Sequence, residues 1–199
     1  MNSIISSREF RDELASSLRV AAATMLVCCV IYGAAVFAIA RVLAPSSADG
    51  SLVHLRDGSA VGSELIAQSF TSPGYFHSRP SSCGYNAAAS GGSNISPTSP
   101  VLRASALQNL TQYGASMEQP IPLDLVTSSG SGLDPHITLA AARYQAARVA
   151  AARGYSVELV MRCVGASLEL PLIAGTNDTL VHVLRTNMLL DGRGEGHVW

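Results

Sequence analysis

From Val20 to Ala40 the chain runs through 21 residues without a formal charge, closed by Arg19 on one side and Arg41 on the other. At about 1.5 Å rise per residue such a run reaches roughly 30 Å, the thickness of a bilayer's hydrocarbon core, and a helix satisfies its own backbone hydrogen bonds there. The sequence therefore predicts one transmembrane helix over residues 19–43, a polar lead over residues 1–18 and one domain over residues 44–199. The pattern Ala38-Ile39-Ala40 would also suit a cleaved signal peptide, but a signal core holds about 7 to 15 apolar residues after a short basic segment. This run is longer and begins only after nineteen residues, the polar lead and Arg19. Cys28 and Cys29 lack the small residue that should precede a lipidated cysteine, and read as inert helix-face residues. Arg8, Arg11 and Arg19 outnumber Arg41 and the more distant Arg56, which predicts a cytoplasmic N-terminus and an exported C-terminal domain.

The segment beyond the span is the size of a single domain with one hydrophobic core. A net charge of -1 and a pI near 6.5 give no electrostatic reason to expect nucleic acid as a partner. All of the basic side chains other than histidine are arginine, and the absence of lysine removes P-loop phosphate binding, Schiff-base chemistry and lysine general bases together. Cys83 and Cys163 could pair in an exported compartment, but their spacing forms no disulfide framework, and two separate thiols are the expectation.

Along the domain, Leu52 to Arg56 and Ser59 to Val61 flank Asp57-Gly58 and predict a β-hairpin. Ser63 is placed to cap a short helix over Glu64 to Phe70. Ser72 to Pro100 is a long aromatic and glycine-rich loop, the first functional candidate because such loops tend to be binding segments. Ser99-Pro100 opens a helix that carries Leu102, Ala106, Leu107 and Leu110 and stops at Gly114. Leu123 to Thr127 reads as a short strand, Ser128 to Gly132 as a tight loop, and Asp134-Pro135 as the start of an alanine-rich helix up to Arg153, with Asp134 as its N-cap. Arg143, Arg148 and Arg153 fan around that helix, so no anion-binding stripe follows. Val157, Leu159, Met161 and Cys163 alternate as a half-buried strand, and a last helix is expected from Asp178 to Leu190, followed by a frayed end. Together these elements predict an α/β (α+β) domain on one N-terminal membrane helix.

Gly91-Gly92-Ser93 and Gly130-Ser131-Gly132 could each form an anion nest, though tight turns needing positive φ explain them as well. Ser129 or Ser131 with His136 and Asp134 offers the residue types of a hydrolase triad in a poor arrangement, with no G-x-S-x-G elbow. His54, His77, His136, His182 and His197 are dispersed without metal-ligand spacing, so no metal site is expected. Tyr75, Phe76 and Tyr85 could contact a partner or simply anchor their loop.

Several ordered motifs carry a resemblance: Gly62-Ser63 with Leu65-Ile66 and Gln68, Tyr75-Phe76 through Arg79-Pro80-Ser81, Tyr85-Asn86, Ser90 to Asn94, Val126-Thr127 through Ser129 to Ile137, and Ala142-Arg143-Tyr144-Gln145 to Ala150. The chain resembles the KdpC family, the C subunit of the Kdp potassium-transporting P-type ATPase. Ala67 and His182 depart from the family pattern, where glycine and asparagine are usual. The resemblance implies a non-catalytic subunit in the bacterial inner membrane that assembles and stabilises a high-affinity potassium uptake complex. Its implied partners are a KdpA-like potassium-selecting subunit, a KdpB-like P-type subunit and a small KdpF-like subunit. It also implies no intrinsic cofactor, with ATP, Mg2+ and K+ handled mainly by those partners. The family is described as a catalytic chaperone that raises ATP affinity, which makes Ser129, Gly130, Ser131, Gly132, Asp134, Gln145 and Arg148 candidates for nucleotide or partner contact. Tyr75, Phe76, Arg79, Pro80, Ser90, Gly91, Gly92 and Asn94 form the candidate partner loop. Ala21, Ala22, Ala23, Gly33, Ala34 and Ala35 are small enough to let another helix approach within the membrane. The alternative is a membrane-anchored exported enzyme or small-molecule-binding domain that uses the same loops.

Overall fold

The computed structural model describes residues 7–55, 58–116, 120–170 and 179–194. Asp57 of the expected hairpin turn, Asp178 at the expected start of the last helix, and His197 lie outside them. The chain divides into two compact units, Met1–Ser51 and Leu52–Trp199.

The first unit is helical from Ser7 onward, so the described part of the polar lead is helix too. Helix α1 (Ser7–Met25) passes through a π-helical turn (Leu26–Ile31) into α2 (Tyr32–Leu43), and a short α3 (Pro45–Ala48) follows. Residues Arg8–Leu43 make 36 residues long and apolar enough to cross a membrane. Pro45 at the first position of α3 ends the long helix, because it lacks the N–H that would continue it. Arg41 pairs with Asp49 and joins the end of the span to the turn after it.

The second unit mixes helix and sheet. Strands β1 (Leu52–His54) and β2 (Ala60–Ser63) form the expected hairpin, with a bulge after Val53 and Gly58 at φ +81°. A three-stranded antiparallel sheet has the order β3 (His136–Thr138), β5 (Leu180–His182), β4 (Leu168–Glu169). Helix α5 (Leu139–Arg153) follows β3 directly, α6 (Val157–Ala166) leads into β4, and α7 (Val183–Gly194) continues from β5. Since the described strand pairs are all antiparallel, the domain is α+β.

Helix α5 is organised by its small residues. Ala141, Ala142, Gln145, Ala146, Val149 and Ala150 are buried on one face, at the spacing a helix turns inward. All but Gln145 pack with Phe76, Leu125, Ile137, Val160, Val164, Val181 and Leu190 into one core. Thr138 accepts a hydrogen bond from the Ala141 N–H, and Gly154 at φ +66° closes the other end.

Five local expectations are corrected. Residues 157–163 form helix α6, because Val160, Cys163 and Val164 face inward at helical spacing while Ser156 caps from its side chain. Glu64 to Phe70 is not helical; the Ser63 hydroxyl accepts from Leu65 N–H at 3.1 Å and makes a local turn. Leu123–Leu125 is a 3-10 turn that buries Leu125. Asp134-Pro135 precedes strand β3, and the helix starts at Leu139 with Thr138 as its cap. Likewise β5 precedes the last helix, which places His182 in a strand. The helix opened by Ser99 is present as α4 (Pro100–Gln112), but it has no buried residue, and Val101 and Leu107 are 57% and 54% exposed.

Candidate functional site

The two glycine loops fold onto each other. Gly91 N–H donates to Ser131 O at 2.8 Å, and Ser90 Oγ donates to the same carbonyl at 3.0 Å. Ser81 Oγ donates to Gly132 O at 2.6 Å, while Ser129 N–H donates to Pro80 O at 3.1 Å. The contact is so close that a Cβ on Gly92 would lie 2.9 Å from Gly130 O, and one on Gly132, at φ +68°, would lie 2.6 Å from Cys83 Sγ. Backbone approach therefore accounts for the glycines at 92 and 132. Asn94 takes a positive φ of +51° in the same loop. Ser129 is buried in this joint, whereas Gly130 and Ser131 are exposed at its rim.

Two buried amides hold the segment before it. Gln145 of α5 accepts from His77 N–H at 2.9 Å and donates to His77 O at 3.1 Å. Asn187 of α7 accepts from Phe76 N–H at 2.8 Å and donates to Phe76 O at 3.0 Å. Each amide thus does for one residue what a neighbouring strand would do. Arginines extend the hold: Arg148 donates to Pro73 O and Gln145 Oε1, both at 2.7 Å, and Arg153 to Gly74 O at 2.5 Å. Arg153 also lies 4.7 Å from the centre of the Tyr75 ring and pairs with Asp191 at 2.7 Å.

This arrangement corrects one partner-loop candidate. Phe76 is fully buried in the core and presents no surface. Tyr75, Arg79 and Pro80 are half-buried, and Ser90 and Asn94 are exposed. Gln145 is buried, and its amide and the Arg148 guanidinium are already bonded within the domain. Cys83 and Cys163 are separate thiols, one in the loop joint and one in the core.

Beside the loops lies a cleft of about 550 Å³ lined by Arg79, Asp124, Thr127, Thr138, Arg143 and Thr179, among others. It opens at the N-terminus of α5, where a helix favours an anion. That position is partly filled from within: Asp124 accepts from Thr138 N–H at 2.7 Å, and Thr179 O from Leu139 N–H at 3.0 Å.

A charged chain runs along the sheet from Arg79. Arg79 donates to Asp134 at 3.3 Å, and His136 Nδ1 lies 3.7 Å from the other Asp134 oxygen. His136 Nε2 meets Glu169 Oε2 at 2.9 Å, and Arg185 bridges Glu169 at 2.9 Å and Glu64 at 3.1 Å. Burial would raise the Asp134 carboxyl, but hydrogen bonding from His136 and the charge of Arg79 hold it below the ordinary carboxylate range. Contact with Asp134 raises His136, against burial and with help from Glu169. His182, packed edge-on to His136 at 5.2 Å between ring centres, is lowered by burial. The sequence reading missed this cluster because its members are distant along the chain; strand pairing sets His136 opposite His182.

Comparison with known proteins accords with this domain and its helix. The KdpC subunit of a potassium-transporting ATPase from Parvibaculum lavamentivorans is 46% identical over 180 residues, covering 90% of this chain and 96% of its own. The corresponding subunit from Cereibacter sphaeroides is 46% identical over 184 residues, covering 92% and 97%. That from Myxococcus xanthus is 44% identical over 183 residues, covering 89% and 87%. Residues 14–192 match the family described as K+-transporting ATPase, c chain, and the chain belongs to this family, KdpC.

Proposed function

We infer that the chain is the accessory subunit of a potassium-transporting ATPase complex, anchored by one helix and acting through contact with partner subunits. Family membership over most of the chain supports the role. The manner of action rests on one observation: Gln145 and Arg148, the helix residues best suited to touching a nucleotide, are bonded to the domain's own backbone. Coupling to ATP is then a free-energy linkage carried through the span and the P-type subunit, in which each site biases the other.

In this proposal the N-terminus is cytoplasmic and the domain exported, as the arginine bias favours. The span packs against the potassium-selecting subunit through Ala21 to Ala23 and Gly33 to Ala35. The loop joint at Tyr75 to Pro80 and Gly130 to Pro135, stiffened by its internal bonds, meets that subunit where potassium enters.

The test is an Ala88→Cys substitution in a cysteine-free background, since Ala88 is exposed. Labelling by a membrane-impermeant thiol reagent in intact cells is expected, at the level reached after permeabilisation. Labelling only after permeabilisation would place the domain inside and reopen direct nucleotide contact.

A further inference from the structure

Each strand of the three-stranded sheet brings one metal-ligand side chain to the same face. His136 on β3 is the register partner of His182 on β5, and opposed residues share a face. Glu169 on β4 is opposite Leu180, two residues before His182 and therefore on that face as well. One ligand atom from each of His136, Glu169 and His182 lies within 4.8 Å of the others. We propose that His136, Glu169 and His182 form a zinc site that ties the three strands together.

The outer contacts are those a metal site requires. His182 Nε2 donates its proton to Glu64 O at 2.8 Å, so its lone pair is on Nδ1. Arg185 N–H donates to that Nδ1 at 3.3 Å, which agrees with this tautomer, and zinc would take the place of this long bond. His136 directs Nε2 at Glu169 and Nδ1 at Asp134, 3.7 Å away. Both imidazoles thus have a backbone or carboxylate oxygen behind the nitrogen that does not ligate, as metal-bound histidines do.

Arg185 is the apparent obstacle, yet its charge is balanced by Glu64 and Glu169. It binds Glu169 Oε1 and leaves Oε2 toward His136. Zinc distances of about 2.0 to 2.1 Å set ligand atoms roughly 3.3 Å apart, so the 2.9 Å His136–Glu169 contact opens slightly and the wider spacing, up to 4.8 Å, closes. Two imidazoles and one carboxylate suit zinc, whereas magnesium and calcium prefer oxygen ligands. The side chains of His136 and Glu169 remain 23% and 34% exposed, which gives an access path and room for water as a fourth ligand.

The experiment uses the full chain in detergent, without a histidine tag and after EDTA treatment, titrated with Zn2+ by calorimetry and followed by thermal unfolding. One equivalent is expected to bind and raise Tm. Glu169→Gln and His182→Asn are expected to weaken binding by roughly 100-fold or more, and Asp134→Asn by about tenfold. His77→Asn, outside the cluster, leaves it unchanged. Co2+ in place of Zn2+ is expected to show the visible absorption of a four-coordinate site in the wild type and to lose it in Glu169→Gln. Should His182→Asn no longer unfold cooperatively without metal, the partly exposed Glu169→Gln substitution decides the matter. Equal binding in the wild type and Glu169→Gln, or no binding after EDTA treatment, would overturn the assignment.

Discussion

At the residue scale, the domain depends on side chains that serve backbone. Gln145 satisfies the donor and the acceptor of His77, and truncation would leave both without their partner. Gln145→Ala is expected to cost about 2 to 3 kcal/mol, read by denaturant unfolding, since a buried polar group left unpaired costs about 1 to 3 kcal/mol. Unchanged stability would show that the amide is free for another role. His77 itself carries a pH signature. Burial lowers its pKa, the nearby Arg148 charge lowers it further, and its ring contact with Ser72 O opposes both. The unfolded chain therefore binds a proton more readily than the folded one, so stability rises with pH. The contribution is fully present above the ordinary histidine value of 6.5 and is lost as pH falls below it toward the lowered folded value. His77→Asn should flatten that part of the stability profile measured by urea unfolding. Neighbouring Tyr113, pushed up to about 12 by burial, keeps its proton throughout this range. The sequence marked Gln145 through resemblance alone, because an amide in an alanine-rich helix does not announce a partner 68 residues away.

At the element scale, the joined glycine loops behave as one unit. Gly132→Ala combines an unfavourable positive φ with crowding against Cys83 and Gly91, whereas a Cβ at Gly130 meets nothing within 4 Å. Thermal unfolding should therefore show Gly132→Ala destabilised by about 1 to 3 kcal/mol and Gly130→Ala much less affected. Equal effects would mean that the loops are not held together. Both loops were visible in the sequence as glycine-rich turns, but their meeting was not, since the contact joins residues about forty apart. Helix α6 failed in the opposite way. Its apolar residues alternate well enough to imitate a strand, and the better signal was Ser156 as a cap followed by Glu158 in the first turn. Strands β3 and β5 have three residues each, too few for a period-two pattern to stand out.

At the scale of the whole molecule, the long N-terminal helix was legible because uncharged length alone identifies a helix able to cross a membrane, without knowledge of any contact. The domain was legible as a mixture of helix and sheet, but its charged cluster depends on strand register. Within the span, the π turn at Leu26–Ile31 is confirmed by Tyr32 N–H bonding to Val27 O, five residues back. Ala22 and Ala34, at the centres of the two groups of small residues, stand twelve positions apart. At about 100° per residue, an unbroken α-helix would leave these groups roughly 120° out of phase. A wide turn absorbs one extra residue and takes back about 100°, leaving them within roughly 20°. The π turn is thus a phase corrector: it gathers two patches that the sequence alone would place on different sides into one narrow, small-residue track along the helix.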